Sequence, residues 1–251
     1  MMIWHETPSG QVTVNTADLG ALLADIGQRF KEGQGFALAT LNLDHMVKLQ
    51  RDEEFANAYA AQTHVTADGN PIVWLSRLAG QQVELIPGSE LIEPLVDVAV
   101  CADVSIALFG ATEGALAAAA DALIERHEGL RVALTLAPPM GFDPMGSAAD
   151  EAIAAIRDSG AAVVFLALGA PKQEVFAARA FETLPNVGFV SIGAGLDFIA
   201  GTQKRAPKWV RAIAAEWIWR MLANPRRLVG RYATCIAILP KLTVKAVRQR
   251  A

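Results

Sequence analysis

The sequence predicts an α/β fold: a Rossmann-like, mostly parallel sheet with helices on both faces, plus a basic helical C-terminal appendage. Three observations carry this. Short apolar runs alternate with amphipathic stretches through the first 200 residues, the pattern of strands buried on both faces and joined by helices. Aromatics make up only 7% of the 251 residues, and Ala, Val, Leu and Ile dominate, which suits helices packed on a buried sheet. Residues 201–251 hold 12 of the 22 Lys and Arg but a single acid, Glu216, so they carry +11 while residues 1–200 carry −15. The expected organisation is therefore an α/β body over 1–200 and a basic, Trp-containing helical appendage over 201–251.

The body reads as follows. Phe36 to Leu41 (FALATL) is a buried strand, followed by a helical stretch to about Gln62. A short β-like segment ends at Thr66-Ala67, and the turn Asp68-Gly69-Asn70-Pro71 feeds a helix to about Leu78, with Pro71 suited to its first turn. Val104 to Phe109 is a strand and Thr112 to His127 an Ala-rich helix. Val132 to Leu136 and Val163 to Leu168 are strands, separated by a loop over 137–146 and a helix near Ala149 to Asp158. Lys172 to Phe181 is helical and Val187 to Ile192 a further strand. In the tail, Trp209, Ile213, Glu216, Trp217 and Arg220 fall at helical spacing. Asn224-Pro225 ends that helix, a second basic helix starts near Pro225, and Pro240 is expected to interrupt it before a short amphipathic end.

Composition and motifs exclude several classes. Cys101 and Cys235 lack CxxC spacing and read as small buried hydrophobes in a reducing cytosol. The first residues carry no signal-peptide pattern, and no apolar run is long enough to span a bilayer. Gly193-Ala194-Gly195 is followed by Leu196-Asp197-Phe198, so the dinucleotide fingerprint fails, and no P-loop, GxSxG or HExxH exists. Four scattered His and the lack of a DxD pair argue against a metal site, and no cofactor is expected. A nucleic-acid-binding module would use the tail's basic and aromatic residues, but the body is acidic and no recognition motif is present.

Parallel α/β sheets bind ligands beyond the carboxyl ends of their strands, where loops feed helix N-termini. Four such junctions are polar or Gly-rich: Thr40-Leu41-Asn42, the turn with Asp68, Gly69 and Asn70, Phe109-Gly110-Ala111-Thr112, and Gly169-Ala170-Pro171-Lys172-Gln173-Glu174. Ordinary turn chemistry explains any one of them; four on one sheet edge weigh more. Asp68, between Val65 and Ile72, suits a general base. It equally suits a cap for the helix beginning near Pro71.

The stretches TLNLDHMVKLQRD, TADGNPIVW, LGAPKQE and GAGLDFIAGTQKRAPKWVRAIAAEWIWRMLANPRRLVGRY resemble the WecG/TagA/CpsF glycosyltransferases, over roughly Thr40 to Tyr232. The resemblance implies an inverting, membrane-associated transferase that moves a sugar from a UDP-sugar to an undecaprenyl-diphosphate-linked sugar in surface polysaccharide synthesis; with no DxD pair, it is expected to be metal-independent. It implies Asp68 as the catalytic base, Thr40 as a substrate-contacting residue with Asn42 in the same turn, and Gln173 as the glutamine of PKQE. Gly69, Asn70, Gly110, Ala111, Gly169, Pro171 and Glu174 join them as candidate substrate contacts on the sheet edge. The tail is similar to the family's C-terminal appendage, which closes over the site and touches an anionic membrane, so Arg205, Arg220, Arg227 and Arg231 are candidates for the diphosphate. The expected location is the inner face of the bacterial cytoplasmic membrane, peripherally bound. One stretch departs from the family: Leu85-Ile86-Pro87-Gly88-Ser89-Glu90 has Leu and Glu where many members have Arg and Asp, so the identity of the sugars does not carry over. Relatives form homo-oligomers, on which this sequence is silent. The alternative is a membrane-associated, non-catalytic nucleotide-sugar-binding or scaffold protein.

Overall fold

The computed structural model describes residues 1–203, 219 and 225–250. Arg205 and the helix expected over 209–220, with Trp209, Trp217 and Arg220, lie outside the described residues apart from Trp219.

The chain opens with an antiparallel hairpin, β1 (Ile3–Thr7) and β2 (Gly10–Thr13). Helix α1 (Leu19–Glu32) follows, with Asp18 accepting from the Ala21 N–H at its start and Gly33 in the left-handed conformation at its end. Then come β3 (Phe36–Leu41), α2 (Leu43–Leu49), α3 (Glu53–Ala60), β4 (His64–Ala67) and α4 (Asn70–Leu78). Next are α5 (Gly88–Cys101), β5 (Ile106–Gly110), α6 (Glu113–Arg126), β6 (Val132–Leu136) and α7 (Ser147–Ser159). The series closes with β7 (Val163–Ala167), α8 (Lys172–Thr183), β8 (Gly188–Ser191), α9 (Gly195–Ile199) and the long helix α10 (Pro225–Gln249).

Six strands form one parallel sheet in the order β4-β3-β8-β7-β5-β6. Successive residues of the central strands alternate between two buried faces. Ile106 and Leu108 of β5 and Val163 and Phe165 of β7 pack with α1, α5, α6 and α9. Their neighbours Ala107, Phe109, Val164 and Leu166 pack with α7 and α8. Because both faces are covered, these strands read as continuous apolar runs, which is why they are visible in the sequence. β3 and β7 lead into helices on one face, β8 and β5 into helices on the other. The loops at the carboxyl edge therefore divide between the two faces, where parallel α/β sheets form their ligand crevice.

Several expectations change. The single helical stretch to Gln62 is two helices, because Asp52 accepts from the Phe55 N–H and starts α3 afresh. Pro240 does not interrupt the last helix, which runs unbroken from Pro225 to Gln249. A proline inside a helix costs about 3 kcal/mol, and here Leu242 and Ala246, buried just beyond it against Met2, Trp4 and Leu49, hold the helix in place. Cys101 is exposed at the end of α5 whereas Cys235 is buried. The hairpin, α1, α5 and α9 are additions to the elements read from the sequence.

The last helix shares a core with the N-terminal hairpin. Gln249 accepts from the Ile3 N–H at 2.7 Å and donates back to the Ile3 carbonyl at 3.2 Å, and Lys245 Nζ donates to the Trp4 carbonyl at 3.1 Å.

Gly110, the last residue of β5, has φ +109, and a Cβ there would sit 2.5 Å from the Ala167 carbonyl carbon of the neighbouring strand. Gly110→Ala should therefore lower unfolding free energy by about 2 kcal/mol or more, measured by denaturant titration of the two proteins.

Candidate active site

The site is built from four loops at the carboxyl edge. In the parallel pairing of β3 and β4, Thr40 lies beside Thr66 and Leu41 beside Ala67. This register lets the Asp68 N–H donate to the Leu41 carbonyl at 2.8 Å, so Asp68 is the first residue past the sheet. Asn42 caps α2: its Oδ1 accepts from the His45 N–H at 3.0 Å. With the oxygen so used, the amide nitrogen points the other way and donates to Asp68 Oδ2 at 3.3 Å. Asp68 does not cap the next helix, since the cap of α4 is Gly69 and no side chain bonds to it. Of the two sequence readings of Asp68, the cap is thus removed.

Beneath this pair is a buried polar chain. Thr40 is 4% exposed, and its carbonyl accepts from the Tyr59 hydroxyl at 2.7 Å. His45 Nδ1 lies 2.7 Å from the same hydroxyl. The one hydroxyl proton is engaged by Thr40, so the ring nitrogen is the donor and the neutral Nδ1–H tautomer is present. Burial, with Lys48 adding to it, pushes His45 down to about 3, so the ring stays neutral at working pH.

A second group joins the β7–α8 and β8–α9 loops. Gln173, 3% exposed, accepts from the Gly193 N–H at 3.1 Å through Oε1 and donates to Glu174 Oε1 at 2.8 Å through Nε2. Glu174 is 0% exposed, so its carboxyl lies behind Gln173 and not on the crevice surface. Burial raises Glu174 to about 7, although Gln173 and Lys48 pull the other way. Its Oε2 has no hydrogen-bond partner, the state expected of an acid held neutral in the core.

Lys48 ties the two groups together. Its Nζ donates to the Ala170 carbonyl at 2.9 Å and pairs with Asp44 at 3.0 Å. Arg231 of α10 reaches the same carboxylate, Nε to Oδ1, at 2.7 Å. Burial acts to raise Asp44, but Arg231 and Lys48 hold it below its usual range. The last helix is thereby tied to α2 two residues beyond Asn42.

The structure thus brings Thr40, Asn42, Asp68, Gly69, Asn70, Gly169, Pro171, Gln173 and Glu174 into connected loops. Gly110 and Ala111 stand at the end of β5, the Ala111 N–H donating to the Ala167 carbonyl at 3.3 Å. Arg231 is on α10 as described; Arg227 has its backbone in that helix, and Arg205 and Arg220 fall outside the described residues. The Leu85–Glu90 stretch lies alongside: the Ile86 N–H donates to the Ala67 carbonyl at 2.8 Å and Thr66 Oγ1 to the Ile86 carbonyl at 2.9 Å. The departing Leu85 is consequently next to Asp68 in space and half exposed. Sequence reasoning did not single out Lys48, Asp44, His45 or Tyr59. The TLNLDHMVK stretch held a signal for the first two, since i,i+4 spacing puts Asp44 and Lys48 on one helical face; His45 and Tyr59 carried none.

A model of the glycosyl transferase WecG/TagA/CpsF family matches residues 9–251. The chain belongs to this family. Among its relatives is the N-acetylglucosaminyldiphosphoundecaprenol N-acetyl-beta-D-mannosaminyltransferase of Bacillus subtilis (strain 168), 25% identical over 196 residues, covering 77% of this chain and 73% of the relative. The chain is thus a glycosyltransferase, and the crevice above β4, β3, β8 and β7 is its candidate catalytic centre. Among the described residues, no helix is long and apolar enough to cross a membrane, and no three His, Cys, Asp or Glu gather as a metal site.

Glu174 gives a pH test. Its folded value, about 7, lies above its ordinary 4.5, so its contribution to stability is fully present below 4.5 and is lost as pH rises through 7. Glu174→Gln, neutral at every pH, should gain about 2 to 3 kcal/mol on wild type between pH 5 and pH 8, read from denaturant unfolding of both proteins at the two pH values.

Proposed function

We propose that this glycosyltransferase moves a sugar from a UDP-sugar to an undecaprenyl-diphosphate-linked sugar by single displacement with inversion, without a metal, Asp68 being the base. The observation that carries this reading is the Asn42–Asp68 pair. It holds one carboxylate at the crevice, with Nδ2 on one oxygen, in a place where no capping duty explains it. The acceptor hydroxyl gives its proton to Asp68 as its oxygen attacks the anomeric carbon, and the UDP leaves from the opposite side.

Negative charge then grows on the leaving diphosphate and needs fixed donors. Helices α4 and α8 both begin at this edge without a side-chain cap; Pro71 has no N–H and the Ile72 and Gln173 N–H groups are taken by the Gly69 and Gly169 carbonyls, so the Asn70 and Lys172 N–H groups are the first-turn donors that would meet phosphate oxygens. Arg231 pairs with Asp44 through Nε and carries further guanidinium N–H donors suited to a diphosphate; Arg205, Arg220 and Arg227 act with it. Gln173, its amide held between the Gly193 N–H and Glu174, shapes the wall of the site beside the substrate. Thr40, Gly69, Asn70, Gly110, Ala111, Gly169 and Pro171 line the same edge.

The protein works at an anionic membrane surface, where its lipid acceptor resides. On α10, Val229, Ala233, Ile236, Pro240, Val244 and Val247 recur at helical spacing on the face opposite the buried Cys235, Leu242 and Ala246. The valines and Ile236 of this stripe are 52 to 55% exposed, and Lys241 and Arg248 flank it. An exposed apolar stripe with cations along one flank suits a helix lying in the interface. A homologue with a lipid-diphosphate sugar in its name supports the same reading.

In EDTA, UDP release from UDP-sugars in the presence of a lipid-diphosphate-linked sugar should fall about 10²–10⁴-fold in Asp68→Asn, with UDP binding nearly unchanged; normal turnover by that variant would remove Asp68 as the base. Asn42→Asp keeps the helix cap but sets a second carboxylate against Asp68. Its acid limb in the pH–rate profile should move up by about one to two pH units, measured by initial rates across pH 4 to 8.

A further inference from the structure

Away from the sheet edge, a cavity of about 320 Å³ lies between the N-terminal hairpin and α10, lined by Trp4, His5, Gln50, Lys241, Leu242 and Lys245. It sits at the Gln50 end of α2, the opposite end from Asn42 and Asp68. It is therefore separate from the catalytic crevice.

Its lining has two characters. Trp4 and Leu242 are buried and form an apolar wall. Lys241, Lys245, His5 and Gln50 supply hydrogen-bond donors, and no carboxylate lines the space. The two lysines are i,i+4 on α10 and so stand on one helical face. Lys245 Nζ is anchored by its bond to the Trp4 carbonyl at 3.1 Å, which holds the ammonium at the cavity with two N–H groups to spare.

These cations are set against one another. His5 is pulled down by burial, then by Lys245 and Lys241, and Lys245 is pulled down by burial and by Lys241. Glu6 is the acid both groups feel, and it lines the adjoining groove with His5 and Gln50, not the cavity itself. One carboxylate against two ammonium groups leaves net positive charge in a partly desolvated space. Like charges held together there weaken the fold until an anion enters.

We propose that this cavity is a second anion site that binds a phosphate group, carried by a soluble phosphate ester or by an anionic phospholipid headgroup. Lysine ammonium groups bind phosphate as point charges, the His5 ring and Gln50 amide give directional donors, and the apolar wall accommodates the carbon skeleton of the ester. Lys241 and Lys245 lie on one flank of the exposed stripe of α10, so a headgroup would enter from the side that the proposed membrane face presents. The site requires neither that membrane reading nor the assignment of Asp68.

The test uses the full chain. Inorganic phosphate and glycerol 3-phosphate are titrated while His5 is followed by NMR and thermal stability is recorded. In parallel, sedimentation is measured with vesicles of phosphatidylcholine alone and with added phosphatidylglycerol. The paired substitution Lys241→Gln and Lys245→Gln should weaken whichever binding wild type shows by tenfold or more. The pair Lys241→Arg and Lys245→Arg, which keeps the charge, should retain it. Saturable binding of the soluble phosphates lost in the Gln pair identifies a phosphate ester; loss confined to phosphatidylglycerol vesicles identifies a headgroup. Arg157→Gln removes an exposed cation of α7, away from both the cavity and the stripe of α10. An equal loss in that variant, an unaffected Gln pair, or wild type that binds neither probe would each overturn the site. Val244→Ser with Val247→Ser tests the membrane stripe alone: vesicle binding lost there with phosphate binding intact leaves the anion site standing.

Discussion

The two-sided use of one amide organises this site. Asn42 must cap α2 with its oxygen, because the first turn of a helix has N–H groups with no partner inside it, and this fixes its nitrogen toward Asp68. The same carboxylate is placed by the register of β3 on β4, which sets the Asp68 N–H on the Leu41 carbonyl. Helix start, strand pairing and candidate base are therefore one arrangement. A slip of the register by one residue would turn Asp68 to the other face of the edge and undo it.

From that centre two linkages spread. One runs through buried groups, Thr40 to Tyr59 to His45, and makes the floor of the site stiff and neutral. The other runs through charges, from Arg231 to Asp44 to Lys48 and on to the Ala170 carbonyl. This second linkage joins the basic C-terminal helix to the loop that carries Gln173, so the segment with the opposite charge is coupled to the chemistry by an ion pair of its own. Partial burial keeps the Asp44 pairs less exposed to salt than open surface pairs.

The last helix holds two kinds of surface at once. Leu242 and Ala246 enter the core shared with Met2, Trp4 and Leu49, while Val229, Ile236, Val244 and Val247 stay in solvent. A helix needs only one apolar stripe to be fastened to its own fold. The second stripe has no partner within the described residues.

The central strands were plain in the sequence because two-sided burial makes them continuous apolar runs, and the junctions at Asn42, Asp68 and Gln173 were plain because polar turns follow those runs directly. The hairpin and α5 were not. Ile3–Thr7 and Gly10–Thr13 are short and polar on one face, and Pro94 lies inside α5, a local signal against helix that packing overrides. Pro240 misled for the same reason. The sequence by itself determined the α/β class, the charge division at about residue 200, the family and the candidate base. Tertiary structure alone decided that Asp68 is held by Asn42 and caps nothing, that Glu174 is buried behind Gln173, and that Arg231 meets Asp44. Each of these depends on groups brought together from distant parts of the chain, where local spacing carries no information and only strand register and burial set the partners.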